Sequence, residues 1–211
     1  SPLRLGPLAA KLTPRTFSQA EVIFHQGDPG GQLHIVADGL VRISMVSPDG
    51  RESDIALLET GDCFGEMSVL DGGLRSATAI AVAPTQTAVL SREAFLEFLR
   101  ENAELAIQIM AILVRRLRAT DEMVGDIVFL DAPSRVARKL LELGRSYPAT
   151  ESSSGGMEVP LSQEGLARVV GCTRETVSRA LATYRRLGLV ATSRRRITIV
   201  RPDGLRRMFP I

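Results

Sequence analysis

The feature that most restricts the fold of this chain is a change of period near Ser91. Before it, from Phe17 to about Leu90, short segments of alternating apolar and polar residues are separated by the turn signals QGDPGG, SPDGR, ETGD and LDGG. Many short strands with regular turns are typical of a sandwich or jelly roll. After it, a long stretch contains few helix breakers, and Ser91 can cap the helix that it forms. The sequence therefore predicts an α+β protein in which an N-terminal β jelly roll precedes a long helix.

Within the helical stretch, a stripe of residues recurs at steps of three or four, as in the seam of a coiled coil. Its members are Ile109, Leu113, Leu117, Thr120, Val124 and Ile127. An amphipathic helix can bury such a stripe against its own domain, or it can pair with the same helix of a second copy. Because the stripe spans about five turns, more than one small β domain needs, we expect part of it to form a homodimer contact.

Charge divides the chain into two unequal parts. Residues 1–131 carry 11 Lys and Arg against 18 Asp and Glu, whereas residues 132–211 carry 15 against 6. A compact basic part of this kind is the electrostatic pattern of a domain that binds a polyanion. We therefore expect two domains. The first is 1–130, with the jelly roll and a central dimerisation helix over about 101–130, and the second is 131–211.

The basic part contains the motif LSQEGLARVVGCTRETVSRALATYRRLGLV, which predicts a helix-turn-helix. Ser162 can cap a first short helix, Gly171 stands where two helices turn sharply, and Thr173 can cap a second helix. The expected buried face of that second helix consists of Val177, Leu181, Tyr184 and Leu187. The pattern of the following segment LVATSRRRITIV indicates two short strands, so we predict a winged helix-turn-helix.

The second helix of such a motif enters the major groove of DNA by its N-terminal half. Arg174 and Arg179 can bind guanine O6 and N7, and Glu175 can accept a hydrogen bond from the cytosine amino group. Thr176 and Ser178 suit phosphate or short-range contacts. The wing would hold backbone phosphates through Arg194, Arg195 and Arg196. The predicted DNA-binding set also includes Ser162, Gln163 and Thr173.

A carboxylate and a guanidinium stand among apolar and small residues in GEMSVLDGGLRSA, here called the 65–77 segment. Gly65 permits a tight turn, and Arg75 with the Ser76 hydroxyl suits a phosphate, helped by backbone N–H groups after Gly65. Glu66 would repel a phosphate, but it can accept a hydrogen bond from a sugar hydroxyl beside one. The set therefore indicates a ribose phosphate. The alternative is an internal ion pair between Glu66 and Arg75.

Other classes of protein fit the sequence poorly. Cys63 and Cys172 are distant in sequence, which argues against a disulfide framework or a cysteine-ligated metal cluster. His25 and His34 lie in the early strands and offer no placement suited to a haem ligand. We find no nucleophile–base pair and no P-loop, so an enzyme is not expected. No apolar run approaches the roughly 20 residues of a membrane span, and we expect a cytoplasmic protein that uses no metal.

These motifs resemble those of the CRP/FNR family of bacterial transcription regulators, above all its cyclic-nucleotide-binding branch. The resemblance covers nearly the whole chain, through the 65–77 segment, RRLRATDEMVGDIVFLD and VGCTRETVSRAL. It implies that Glu66 binds the ribose 2′-hydroxyl, and that Arg75 and Ser76 bind the cyclic phosphate with the backbone at Gly65 and Glu66. The ligand-binding set implied by the resemblance also includes Met67 and Ala77.

The resemblance implies that the base of the nucleotide is recognised by the central helix. Thr120 falls where the helix of the family touches the purine, and Asp121 follows where a well-known member has a serine contributed across the dimer. A carboxylate accepts hydrogen bonds, so it suits guanine N1–H and N2–H₂ at least as well as the adenine amino group. The expected effector is therefore cAMP or cGMP.

The resemblance further implies a homodimer that is controlled by cAMP and binds palindromic double-stranded DNA with TGTGA-like half-sites. A cGMP-responsive regulator of the same fold is one alternative, and a nucleotide-responsive scaffold that binds protein and not DNA is another. RNA polymerase is the expected protein partner. The resemblance also implies that the loop ATESSSGGM lies where activators of the family contact polymerase.

Overall fold

The computed structural model describes residues 11–50, 52–146, 156–193 and 196–208 of the 211-residue chain. Its contacts divide the chain into two compact units, Ser1–Leu117 and Arg118–Ile211. The predicted domain boundary after residue 130 stays a prediction. Within the described ranges, no helix has the length and apolar character to cross a membrane. No group of three or more His, Cys, Asp or Glu in these ranges could hold a metal ion.

The first unit contains the predicted jelly roll, made of two four-stranded antiparallel sheets. Their strand orders are β1-β8-β3-β6 and β2-β7-β4-β5. The strands are β1 (Thr13–Phe17), β2 (Val22–Phe24), β3 (Gln32–Asp38), β4 (Val41–Val46), β5 (Glu52–Leu58), β6 (Cys63–Phe64), β7 (Thr78–Ala81) and β8 (Thr85–Ser91). Alternation along each strand gives the first sheet two apolar faces. One face packs on the second sheet through Val36 and Phe64, and the other packs on helices through Leu33 and Leu90.

Three helices accompany these sheets, and they differ from the single long helix that the sequence predicts. They are α1 (Glu66–Asp71), α2 (Arg92–Glu101) and α3 (Ala103–Phe129). Ser91 caps α2 as predicted, since its side chain accepts from the Ala94 N–H at 3.2 Å. The break falls at Asn102, whose φ of −129° and ψ of 85° are not helical. Its side-chain amide donates to the Phe98 carbonyl at 2.9 Å, a local bond that competes with helix continuation.

The second unit contains the predicted winged helix-turn-helix. After α3, the elements are α4 (Ala132–Ser146), β9 (Met157–Val159), α5 (Gln163–Val170), α6 (Arg174–Arg186), β10 (Val190–Thr192), β11 (Ile197–Ile199) and α7 (Pro202–Met208). The sequence predicts two wing strands, but the sheet has three, in the order β10-β11-β9. Val159 of β9 pairs with Ile197 and is fully buried, so tertiary pairing gives a strand to a stretch too short to show a period.

The caps of the helix-turn-helix confirm the local predictions. Ser162 accepts from the Gly165 N–H at 3.0 Å, and Thr173 accepts from the Thr176 N–H at 3.3 Å. Gly171 ends α5 in the left-handed region with a φ of 68°. The buried face of α6 includes Val177, Leu181 and Tyr184 as predicted, but not Leu187, which is 36% exposed. Leu187 lies outside the core because it is the C-cap of α6, and Ala180 is buried instead.

The side chain of Tyr184 links α6 to the start of α4. The Tyr184 hydroxyl donates to the Pro133 carbonyl at 2.6 Å, and the Tyr184 side chain is fully buried. Around it, α4 contributes Val136 and Leu140 to the same core. The polar end of a buried tyrosine is thus satisfied by a backbone acceptor near the first turn of the neighbouring helix.

Candidate functional site

The 65–77 segment is built around a glycine that no other residue can replace without strain. Gly65 is the N-cap of α1 with a φ of 80°, in the left-handed region. A Cβ at this position would lie 2.3 Å from Nη1 of Arg75. The absence of a side chain therefore allows the guanidinium of Arg75 to pack directly against the backbone.

Arg75 is buried, with 5% of its surface exposed, and is fixed on three sides by the protein. Nη1 donates to the Gly65 carbonyl at 3.0 Å and to Oγ of Ser68 at 2.8 Å, and Nη2 donates to the Gln32 carbonyl at 2.7 Å. The guanidinium carbon lies 4.1 Å from the centre of the Phe24 ring. These bonds use three of the five N–H donors of a guanidinium. Among the described residues, Nε and one N–H of Nη2 have no acceptor.

Glu66 is also buried, at 3% exposure, but its ionic partner is not Arg75. Its Oε1 accepts from Nη1 of Arg116 at 2.5 Å, while Nη2 of Arg116 donates to the Cys63 carbonyl. The alternative interpretation, an internal ion pair between Glu66 and Arg75, is therefore wrong. The guanidinium of Arg75 donates to backbone carbonyls and Ser68 instead. No described residue donates a hydrogen bond to Oε2 of Glu66.

Arg116 is the site residue that sequence reasoning missed. It lies on α3, four residues before Thr120, and neighbours at that spacing share a face of a helix. This spacing was the available signal, but the sequence could not show that Arg116 reaches a carboxylate fifty residues earlier in the chain.

Burial shapes the ionisation of the groups around Arg75. Burial lowers the pKa of Arg75, and the nearby carboxylates of Glu66 and Asp28 oppose this shift. The charge is retained, since a guanidinium loses its proton only at very high pH. Burial also raises the pKa of the Cys63 thiol to about 11, which keeps it neutral and unreactive at pH 7.

The remaining predicted ligand-binding residues are distributed as follows. Ser76 is exposed, and its hydroxyl donates to Sδ of Met67 at 3.6 Å, while Ala77 is buried. Thr120 and Asp121 are exposed residues of α3 and belong to the second unit. The structure thus brings together Gly65, Glu66, Met67, Arg75, Ser76 and Ala77 in the first unit.

In the second unit, the predicted base-reading residues share one face of α6. Arg174, Glu175 and Arg179 are exposed, as is Ser178 between them, whereas Val177 and Ala180 point into the core. The pKa of Glu175 is lowered, chiefly by a hydrogen bond from backbone N–H and then by the Thr173 hydroxyl. An ionised Glu175 is an acceptor, so this face offers two guanidinium donors and one carboxylate.

The helix starts and the wing carry the rest of the predicted DNA-binding set. Ser162 and Thr173 serve as caps, Gln163 is the first residue of α5, and Thr176 lies one turn into α6 beside the Thr173 hydroxyl at 3.0 Å. Arg196 is exposed and forms a salt bridge with Glu158 at 3.2 Å. Arg194 and Arg195 lie outside the described residues.

Comparison with known proteins agrees with both halves of this geometry. Residues 14–102 match the family model described as cyclic nucleotide-binding domain, and residues 134–208 match the Crp-like helix-turn-helix domain. The CRP-like cAMP-activated global transcriptional regulator of Mycobacterium tuberculosis is 32% identical over 206 residues, covering 98% of this chain and 92% of the relative. The chain belongs to the CRP/FNR family. It is a cyclic-nucleotide-binding transcription regulator of that family, whose members are not enzymes.

CRP/FNR proteins similar to this chain differ in the effector that their names state. The cyclic AMP receptor protein of Thermus thermophilus is 40% identical over 176 residues, which are 83% of this chain and 78% of the relative. The solved structure of CLP, a c-di-GMP-responsive global regulator of Xanthomonas campestris, has a TM-score of 0.81 at 26% identity, covering 90% of this chain and 94% of that chain.

Proposed function

We propose that the 65–77 segment binds the phosphate and ribose of a cyclic mononucleotide. The observation that carries this proposal is the pair of unused donors on the buried Arg75, at Nε and Nη2. A buried donor without an acceptor costs roughly 1–3 kcal/mol, and a phosphate binds two adjacent guanidinium donors in a planar fork. The Ser76 hydroxyl, next along the chain, adds a further donor to the same anion.

Glu66 supports the sugar half of the proposal. Its Oε1 is occupied by Arg116, which fixes the carboxylate and balances its charge, while Oε2 accepts no hydrogen bond from the described residues. A ribose 2′-hydroxyl is a donor that Oε2 can accept. Arg116 thus positions Glu66, and a ribose phosphate gains complementary groups at both ends.

The effector that we propose is cAMP or cGMP, with Thr120 and Asp121 reading the base. Two relatives, from Mycobacterium tuberculosis and Thermus thermophilus, are named for cAMP, which supports cAMP as the first candidate effector. The carboxylate of Asp121 supports cGMP as the second candidate, because guanine offers two adjacent donors, N1–H and N2–H₂. The c-di-GMP-responsive structural neighbour makes that dinucleotide a necessary comparison in any binding test.

We also propose that a homodimer binds palindromic DNA through α6, with Arg174, Glu175 and Arg179 reading TGTGA-like half-sites about 34 Å apart. An effector can control this only by binding one arrangement of the dimer better than another. Residues 124–130 at the end of α3 are the proposed element that the effector realigns. RNA polymerase is the proposed protein partner.

Calorimetry with cAMP, cGMP and c-di-GMP tests the effector site. Wild type should bind a cyclic mononucleotide, and Arg75→Leu should lose this binding because the phosphate loses its charged donors. Gly65→Ala and Gly50→Ala form a matched pair, since both glycines have a φ of 80° but only Gly65 has Arg75 behind it. We expect Gly65→Ala alone to weaken binding, by roughly tenfold or more. Equal binding by Arg75→Leu and wild type would remove the proposal.

The same titrations test the choice of base. Asp121→Ser should shift the ratio of cAMP to cGMP affinity toward cAMP, because serine can no longer accept two donors from guanine as a carboxylate does. Asp121→Asn keeps the size of the side chain and serves as the comparison. An unchanged ratio in both variants would exclude Asp121 from base recognition.

A further inference from the structure

Met67 combines solvent access with a direct contact to a residue of the proposed effector site. Its side chain is 52% exposed, although its neighbours Glu66 and Ser68 are buried. Its sulfur accepts the Ser76 hydroxyl at 3.6 Å, a distance that fits the large radius of sulfur. A thioether is a weak acceptor, so this bond can yield to a phosphate oxygen. The same sulfur is open to small oxidants from solvent.

We propose that Met67 is an oxidation site through which peroxide lowers the affinity of the 65–77 segment for its nucleotide. The inference rests on the proposed function and adds regulation to it. A lone pair of the Met67 sulfur attacks one oxygen of hydrogen peroxide, a sulfur–oxygen bond forms and the O–O bond breaks. The sulfur loses two electrons, and the peroxide is reduced to water. Methionine sulfoxide is reversible by reductases, as a regulatory modification requires.

The effect of the added oxygen follows from the contact with Ser76. A sulfoxide oxygen is a much stronger acceptor than a thioether. The Ser76 hydroxyl, which already donates to the Met67 sulfur, would donate to this oxygen. That hydroxyl then stays bound to Met67 and is lost to the phosphate. Because a hydrogen bond to a charged group is among the stronger ones in a protein, we expect affinity to fall about tenfold.

Three other methionines are exposed among the residues whose side chains the structure describes, and they provide an internal comparison. Met45 is 43% exposed, Met110 is 55% exposed and Met123 is 38% exposed. All three lie outside the 65–77 segment. Peroxide will oxidise them as well, so a variant that lacks only the Met67 sulfur separates their effect from that of Met67.

The test compares the full-length chain before and after hydrogen peroxide, with oxidation at each methionine quantified by peptide mass spectrometry. For each protein, the nucleotide Kd after treatment is divided by its own Kd before treatment. We expect a ratio of about ten for wild type and near one for Met67→Leu. Ser76→Ala should also give a ratio near one, because the coupling runs through that hydroxyl. Met67→Gln places an amide oxygen near the sulfoxide position and should bind weakly without peroxide.

Each result decides the matter. A wild-type ratio near one with Met67 fully oxidised would overturn the proposal, as would a Met67 that stays reduced while Met45 is oxidised. Equal ratios in wild type and Met67→Leu would assign the effect to another methionine. Failure of untreated wild type to bind any cyclic nucleotide would instead refute the proposed function, and with it this regulation.

Discussion

At the scale of single residues, His34 shows how burial in the jelly roll changes the pKa of a titratable group. Its ring stacks on Phe64 with 5.0 Å between centroids, and Nδ1 lies 3.3 Å from the Thr87 hydroxyl. It lines a cavity of about 390 Å³ together with Arg15, Asp28 and Arg75. Burial, followed by the positive charges of Arg75 and Arg15, lowers the pKa of His34 from 6.5 to about 4.

This shift predicts a loss of stability in mild acid. The unfolded chain takes up a proton on this imidazole near pH 6.5, whereas the folded chain does so only near pH 4. The free energy of unfolding is therefore unaffected by this group above pH 6.5. It decreases as the pH falls toward 4, by up to about 3 kcal/mol. Urea unfolding of wild type and His34→Phe across this range checks it, with the exposed His25→Gln as control. Equal pH slopes in wild type and His34→Phe would contradict it.

Sequence reasoning at this scale succeeded where chemistry is local. Gly65, Ser162 and Thr173 act through their own turn or cap, and short-range rules describe such positions well. It failed where a partner comes from a distant part of the chain. The ion pair of Glu66 with Arg116 joins the jelly roll to α3 across fifty residues, and no spacing rule selects it.

At the scale of elements, the central helix α3 changes character along its length. Its first part is held in the first unit, where Leu105 and Ile109 are buried. Further on, Leu117 is 61% exposed, Val124 53% and Ile127 59%. The beginning of the stripe thus packs on its own domain, and the remainder presents an exposed apolar face, where the homodimer contact stays a prediction.

This face predicts that a charge on α3 will disrupt the proposed homodimer. Val124→Glu should shift the protein toward the monomer in sedimentation velocity, because the carboxylate would be desolvated in an apolar contact. Arg118→Glu alters an exposed charged residue of the same helix and is the control. If Val124→Glu sediments as wild type does, the proposed pairing through this stripe is wrong.

The elements themselves were predictable where periodicity is long, and less so elsewhere. The strands of the jelly roll and α6 follow from repeated patterns and clear turn signals. The helical stretch divides at Asn102, whose side-chain amide donates to the Phe98 carbonyl, and β9 exists because β11 offers it a partner. The pairing of β9 with β11 joins distant residues and is not visible in a window of a few residues.

At the scale of the whole molecule, the uneven charge predicts how DNA binding responds to salt. The basic C-terminal part, with 15 Lys and Arg in residues 132–211, should release counterions from DNA on binding, so affinity should fall steeply between about 50 and 200 mM salt. Titration of a nonspecific duplex measures this slope, and selection from randomised duplexes with nucleotide present should return a palindrome. Absence of DNA binding at low salt would favour the protein-binding scaffold.

The hydrogen bond from Tyr184 to Pro133 has a mechanical consequence for the way in which α6 can move. It joins α6, the proposed DNA-reading helix, to the first turn of α4, and both share one close-packed core. Packed cores transmit displacement because they resist deformation. We therefore expect α6 to turn as one piece with α4, so that any pivot that re-aims this helix lies outside the packed pair.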